Sequence, residues 1–155
     1  MRQLFLDCDG VLADFDTYFE ETFGSHPRKH EANHGTKRFW VDLHSHPDFY
    51  FKLPLMPDAV ELYEAVKHYN PIILTGLPVG NWAEPQKLRW GAKHFPGTKM
   101  ICCASKDKRN YMKPGDVLVD DWAKYKHLWE EAGGIFILHT SAAESLPYIH
   151  AAMAQ

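Results

Sequence analysis

Short apolar runs alternate with longer amphipathic stretches along this chain of 155 residues. Uninterrupted apolar runs predict buried strands at 4–6, 71–75, 100–103, 117–119 and 135–138. Apolar residues at helical spacing predict helices at about 13–23, 58–66, 82–94, 122–132 and 142–153. Because alternating strands and helices form βαβ units, we predict an α/β fold with a parallel sheet covered by helices on both faces.

The segment 24–57 interrupts this alternation. It has no clean period and is rich in histidine, aromatic residues and proline, which indicates an element inserted after the first strand and helix. The chain has the length of one domain, and no linker between two large domains is visible. We therefore expect a single domain over 1–155 with a small inserted cap at about 16–56.

The composition excludes several classes of function. The chain is 45% hydrophobic and 24% charged, and its formal net charge of -3 gives no basic field for a nucleic-acid polymer. No apolar stretch has the length of a membrane span, so no membrane partner is expected. The three cysteines, two of them adjacent, suggest no disulfide framework. A soluble protein of a reducing, cytoplasmic compartment is expected.

Polar residues stand where three of the predicted strands end. Asp7 and Asp9 follow the first strand, Thr75 ends the second, and Asp120 with Asp121 follow the fourth. Since ligands of an open α/β sheet bind outside the carboxyl ends of its strands, these side chains are expected to converge at one edge. Any one of them could instead be a helix cap or a turn carboxylate, but their coincidence at three strand ends favours a site.

A cluster of this kind supports phosphoester chemistry. Carboxylates that face one another repel, and a hard divalent cation such as Mg²⁺ is their natural counterion. The Asp7 carboxylate could attack phosphorus and form an acyl phosphate. Asp9, two residues further on, could protonate the leaving oxygen and then activate water. Magnesium-dependent hydrolysis of a phosphomonoester is therefore the predicted reaction.

Further residues complete the predicted phosphate site. The Thr75 hydroxyl and the backbone at Gly76, where no side chain blocks close approach, could hold phosphate oxygens. A lysine is needed to offset the charge of the phosphate and the carboxylates. Lys106, Lys108 and Lys113, all in the loop before the fourth strand, are the candidates.

Three of these motifs resemble those of the haloacid dehalogenase (HAD) superfamily of phosphatases. Asp7-Cys-Asp9-Gly-Val-Leu resembles its first motif, Leu74-Thr75-Gly76 its second and Leu118-Val-Asp120-Asp121 its fourth, in the same order. The resemblance implies a Rossmann-like, three-layer core, a phospho-aspartyl intermediate on Asp7 and a bound Mg²⁺. It also implies that Asp7 and the Asp9 carbonyl bind the metal, with Asp121 or Asp120 completing the protein ligands.

The third motif of that superfamily supplies the lysine. Lys108, in the sequence Asp107-Lys108-Arg109, is similar in context to the family's lysine and is the favoured candidate.

Other stretches resemble the 5′(3′)-deoxyribonucleotidases within the superfamily. These are the extended first motif at 7–15 and the segments 38–41, 49–53, 57–61 and 82–95. The resemblance implies a helical cap whose aromatic residues line a base pocket, at the positions of Phe15, Phe39 and Trp40. A nucleoside monophosphate is therefore the expected substrate. The chain departs from that family at Gly76, where serine is usual, and at Trp122, where arginine is usual, and its cap is shorter.

Two other functions stay open at this point. A phosphatase for another small phosphoester, such as a sugar phosphate, would share the strand-end residues but would not discriminate between bases. A non-catalytic phosphate-binding module would share the fold, although the intact pair Asp7 and Asp9 argues against it. The sequence does not determine the oligomeric state.

Several residues also have a structural interpretation. Phe15, Phe39 and Trp40 could serve packing rather than base stacking. His26, His30 and His34 recur at a spacing of four, and His44 and His46 form an HxH pair. A structural zinc site is one interpretation, but exposed or substrate-facing cap histidines are favoured, and Pro27 is expected to disturb a helix there. Lys87, Arg89 and Lys93 are expected to form a solvated helix face.

Overall fold

The computed structural model describes residues 2–155, which form one parallel sheet with helices around it. The strands are β1 (Leu4–Leu6), β2 (Ile72–Gly76), β3 (Met100–Cys103), β4 (Val117–Asp120) and β5 (Ile135–Leu138). They pair in the order β3-β2-β1-β4-β5, and every pairing is parallel. The predicted α/β fold is confirmed, and β1 is its central strand.

Seven α-helices and three short 3₁₀ helices accompany the sheet within the described residues. The α-helices are α1 (Phe15–Phe23), α2 (Pro27–His34), α3 (Thr36–Ser45), α4 (Ala59–Val66), α5 (Ala83–His94), α6 (Lys126–Glu131) and α7 (Ala142–Met153). The 3₁₀ helices are Lys67–Tyr69, Ser105–Tyr111 and Ala123–Tyr125. None of these helices has the length and apolar character needed to cross a membrane.

Alternate residues of β1 enter two different cores, which makes the fold three-layered. Leu4 and Leu6 belong to a large core that includes residues of α4, α5 and α7. Phe5 points to the other face, where it packs edge-on against Trp129 of α6 with ring centroids 5.6 Å apart. Because successive side chains of a strand point to opposite faces, an uninterrupted apolar run is what a sheet covered on both sides requires.

The predicted helix at 122–132 is wrong in its first turn. Trp122 has an extended backbone, and its N–H donates to the Asp120 side chain (3.0 Å). This bond holds residue 122 out of the helix, so a 3₁₀ turn follows and α6 begins only at Lys126.

At the other end of the chain, α1 begins at Phe15 because Asp14 accepts the Thr17 N–H (3.2 Å) as an N-cap.

The inserted segment contains two helices, α2 and α3, that the sequence pattern did not resolve. Pro27 does not disturb α2, contrary to the expectation, because it stands in the first turn, where the missing N–H has no intrahelical acceptor. The ring of His26 caps the same helix by accepting the Arg28 N–H (3.2 Å). The cap is thus an ordered helical element.

The two ends of the cap lie side by side. The Asp14 N–H donates to the Pro54 carbonyl (2.8 Å), and the Met56 N–H donates to the Leu12 carbonyl (2.7 Å). Ala13 and Leu55 form an isolated antiparallel bridge between these two bonds. The chain therefore leaves the core and returns to it at a single point, directly after the loop that carries Asp7 and Asp9.

Candidate active site

Three carboxylates meet at the carboxyl ends of β1 and β4. Asp7 follows β1 directly, and its N–H donates to the Val119 carbonyl (2.9 Å), which places the loop beside the end of β4. Asp120 is the last residue of β4, and Asp121 follows it. One oxygen from each of Asp7, Asp120 and Asp121 lies within 4.8 Å of the other two. The predicted convergence of these residues is therefore present in the structure.

Lys108 is the lysine that reaches these carboxylates. Its Nζ lies 3.0 Å from Asp7 Oδ1 and 3.0 Å from Asp120 Oδ2. Burial alone would lower the pKa of Lys108, but the two carboxylates outweigh burial and raise its pKa above the usual value. Lys106 lines the cavity but is exposed, and Lys113 lies in the turn before β4.

The single positive charge of Lys108 does not neutralise the three carboxylates. Burial, with repulsion from Asp120, raises the pKa of Asp7 to about 6, although Lys108 opposes the shift. Desolvation, with repulsion from Asp7, Asp120 and Asp9, raises the pKa of Asp121 to about 8. Oxygen ligands at this spacing and with this unbalanced charge fit a hard divalent cation such as Mg²⁺. The Asp9 ligand implied by the resemblance is its backbone carbonyl, and that assignment stays a prediction.

Gly10 makes room for this cluster. Its φ is +83°, a left-handed conformation that favours glycine, and it forms the turn after Asp9. A Cβ at this position would collide with the Asp121 carboxylate. Glycine is therefore needed both for the turn and for the close approach of the loops after β1 and β4.

Asp9 is paired with Lys87, a residue that the sequence analysis placed on a solvated face. Lys87 Nζ lies 2.7 Å from Asp9 Oδ2 and 2.9 Å from Thr75 Oγ1, and the residue is only 2% exposed. The ammonium group also lies 4.6 Å from the centre of the Tyr50 ring. The solvated-face prediction was wrong for Lys87, while Arg89 and Lys93 are exposed as expected.

A helical-face argument could have found Lys87. The buried residues of α5 are Ala83, Lys87, Trp90 and Gly91, which are spaced by four, three and one and form one face. A lysine on the buried face of a helix requires a partner, and two aspartates were already assigned to the adjacent strand end. Lys87 is thus separated by its helix face from Arg89 and Lys93, its exposed neighbours.

Thr75 does not take the predicted place. It is fully buried, and its hydroxyl accepts from Lys87. Because it has no exposed surface, its side chain cannot contact a phosphate oxygen in this conformation. Thr75 instead orients the lysine that pairs with Asp9. Gly76, the next residue, lines the cavity, and its contact with phosphate stays a prediction.

A cavity of about 810 Å³ lies between the sheet edge and the cap. Phe15, Phe39 and Trp40 all line it, as the resemblance implied, but they differ in exposure. Phe39 is only 7% exposed and stacks on Phe19 with centroids 5.2 Å apart, whereas Trp40 is 38% exposed. Phe39 therefore belongs mainly to the cap core, and Trp40 offers the accessible aromatic surface.

The cap histidines have no metal-binding arrangement. Within residues 2–155, the group Asp7, Asp120 and Asp121 is the one set of side chains with metal-ligand spacing. The histidines have other neighbours: His30 with Asp42 (2.8 Å), His46 with Tyr18 (3.1 Å), His44 stacked on Trp82 (4.7 Å) and His34 against His30 (4.6 Å). The zinc interpretation thus receives no support. His26, His34 and His44 are exposed, as expected, whereas His46 is partly buried and His30 is buried.

Comparison with known proteins shows the fold but no family. No protein-family model matches this sequence, and no curated protein matches it. Among solved structures, the crystal structure of a hydrolase from Streptococcus pneumoniae TIGR4 is similar, with a TM-score of 0.56 over 96% of this chain and 98% of that chain. The two sequences are 12% identical, so the similarity is one of fold.

Proposed function

We propose that this protein is a phosphomonoester hydrolase in which Asp7 accepts the phosphoryl group. The observation that carries this proposal is the position of Asp7 at the end of the central strand, between Lys108 and the Asp120–Asp121 pair. A buried carboxylate held by a lysine on one side and facing two further carboxylates has few structural uses. It suits attack on a phosphate whose charge is neutralised in place.

The residues around Asp7 divide the remaining tasks. Lys108 orients the nucleophile through Oδ1 and offsets the negative charge of the incoming phosphate. Asp9 stands two residues beyond Asp7, where it can protonate the leaving oxygen and afterwards take a proton from water. Lys87 fixes the Asp9 carboxylate through Oδ2 and leaves Oδ1 without a partner among the described residues. Oδ1 is buried in this conformation, so the Asp9 carboxylate must turn toward the substrate to transfer a proton.

Asp7, Asp120 and Asp121 would hold the Mg²⁺ ion. The ion would supply positive charge that screens the phosphate from the carboxylates. The raised pKa values of Asp7 and Asp121 support this assignment, because a cation would offset the burial and the mutual repulsion that raise them.

A nucleoside monophosphate is the substrate class we propose. The accessible face of Trp40 in the cap could stack on a base, and Arg28 of the cap also lines the cavity. The resemblance to deoxyribonucleotidases supports the same class, while the similarity to a solved hydrolase supports the proposal only through the fold. A sugar phosphatase would have the same chemistry, and a panel of phosphate esters that differ in the base separates the two.

The direct test is the variant Asp7→Asn, assayed with an aryl phosphate and Mg²⁺. We expect turnover to be abolished and the melting temperature to be kept, because the amide is not a nucleophile and one repelling carboxylate is removed. Asp48→Asn is the control, since Asp48 is paired with Arg89 on the surface and asparagine tolerates its positive φ. Activity of Asp7→Asn within about tenfold of wild type, a barrier change of roughly 1.4 kcal/mol, would contradict the proposal.

The same assay tests the non-catalytic alternative. A wild-type protein that binds inorganic phosphate but turns over none of the esters, with Mg²⁺ present, would be a phosphate-binding module.

A further inference from the structure

Ser105 occupies the space that a side chain at position 76 would fill. A Cβ on Gly76 would collide with Ser105 Oγ, and it would lie 3.3 Å from Ser105 Cβ. Gly76 has no positive φ, so its conformation alone does not require glycine. In this rotamer the Ser105 hydroxyl therefore occupies the space of a side chain at the end of β2.

This hydroxyl faces the candidate active site. Ser105 begins the 3₁₀ helix Ser105–Tyr111, which also carries Lys108. Residues three apart lie on the same side of a 3₁₀ helix, so Ser105 and Lys108 share one face. Lys108 reaches Asp7 from that face, and both residues line the cavity with Gly76.

The hydroxyl of Ser105 also lacks a hydrogen-bond partner among the described residues. Its Oγ makes no hydrogen bond to any of the residues 2–155, and its side chain is half-buried. Thr75, the hydroxyl first expected to hold phosphate, is turned onto Lys87 and has no exposed surface. A free donor beside a nucleophile and a lysine is suited to an anionic oxygen.

We propose that Ser105 Oγ donates a hydrogen bond to an oxygen of the substrate phosphoryl group, in place of a side chain at the end of β2. This assignment rests on the proposed phosphatase function. It also accounts for Gly76: the hydroxyl enters the site from the 3₁₀ helix that follows β3, and glycine at position 76 gives it room.

The experiment compares Ser105→Ala, Ser105→Gly and the exchange variant Gly76→Ser/Ser105→Gly. Each is assayed with an aryl phosphate and Mg²⁺, titrated with inorganic phosphate and melted. The control is Ser25→Ala, since Ser25 is also half-buried but does not line the cavity. In the exchange variant the new Cβ would lie 3.6 Å from the Cα of residue 105, an ordinary contact, so the hydroxyl can enter from position 76.

We expect Ser105→Ala to lower kcat/KM about 10- to 100-fold, the range for a lost hydrogen bond to a charged group, and to weaken phosphate binding similarly. The melting temperature should stay within the range of the control, because the hydroxyl has no partner to lose. The kcat/KM of the exchange variant should be at least tenfold higher than that of Ser105→Gly. A purely structural role of Ser105 does not explain such a recovery.

Two results would overturn the assignment. One is a Ser105→Ala protein with kcat/KM and phosphate affinity within twofold of wild type. The other is an exchange variant that melts like Ser105→Gly but recovers no activity and no phosphate affinity. If the wild-type protein has no turnover, the proposed function fails, and the phosphate titrations then decide the role of Ser105 by the same criteria.

Discussion

Replacing Lys87 by methionine separates the chemistry of Asp9 from the stability of the core. Methionine keeps the length and apolar stem of the side chain and removes the ammonium group that contacts Asp9 and Thr75. Removing one partner of a buried ion pair typically costs about 3–5 kcal/mol, because the other charge is left unpaired.

The partial exposure of Asp9 lowers the expected cost of removing Lys87. The side chain of Asp9 is 30% exposed, compared with 2% for Lys87, so water can solvate the abandoned carboxylate. We therefore expect Lys87→Met to lower the free energy of unfolding by about 2–3 kcal/mol, below the range for a fully buried pair. For a domain of this size that corresponds to a fall of roughly 5–10 °C in melting temperature. Urea unfolding followed by tryptophan fluorescence measures the free energy directly.

The kinetic consequence is specific to the proton transfer. Without Lys87 the Asp9 carboxylate is no longer fixed, so hydrolysis of an alkyl phosphate, whose leaving group needs a proton, should slow by at least tenfold. Hydrolysis of an aryl phosphate with an acidic leaving group should slow less. Lys93→Met is the matched control, because Lys93 lies exposed on the same helix and should change both quantities little.

Two outcomes would refute this reasoning. If Lys87→Met unfolds at the same urea concentration as Lys93→Met, the ion pair with Asp9 contributes nothing to stability. If the two phosphate esters lose activity equally in a folded Lys87→Met protein, Lys87 does not act through the proton donor.

Four further predictions concern the acid, the cap and the metal. Asp9→Asn should slow the hydrolysis of an alkyl phosphate by roughly 10²- to 10⁴-fold and that of an aryl phosphate by less. Equal losses for the two esters would contradict the proposed role of Asp9 as general acid and base. Phe39→Ala should destabilise the protein by about 3–5 kcal/mol, because the ring is buried in the cap core. Trp40→Ala should leave the melting temperature nearly unchanged and raise KM for nucleotides by the equivalent of about 1–3 kcal/mol, with KM for an aryl phosphate as the control. Mg²⁺ at 100 times its Kd should raise the free energy of unfolding of the wild-type protein by about 2.7 kcal/mol. Asp121→Asn should need a higher Mg²⁺ concentration for the same effect. If it needs no more Mg²⁺ than Asp48→Asn, the assignment of Asp121 as a ligand is contradicted.

The sheet was predictable because its strands leave a simple pattern. The run 4–6 is apolar on every residue since both faces of β1 are covered, and its sudden end at Asp7 marks the edge where the site lies. The cap was harder, because α2 has an almost entirely polar sequence with Pro27 at its start. Only the packing of the cap helices against each other, which a single sequence does not display, makes that segment a helix.

The candidate site divides in the same way. Residues at strand ends were identified because topology alone brings Asp7, Asp120 and Asp121 together. Lys87 and Ser105 were not, because their roles depend on which way a side chain points. Lys87 is distinguished from an exposed lysine only by its place on the buried face of α5. Ser105 is distinguished from other serines only by its contact with Gly76, which has no side chain.

The paired ends of the cap make substrate choice separable from chemistry. Since the chain departs and returns through two hydrogen bonds around the Ala13–Leu55 bridge, the distance between those ends is set by the core and not by what lies between them. Segments of very different length and sequence can be joined at that point without moving the strand that carries Asp7. A protein built this way can acquire a new ligand through one insertion or replacement while Asp7, Asp120 and Asp121 stay in place.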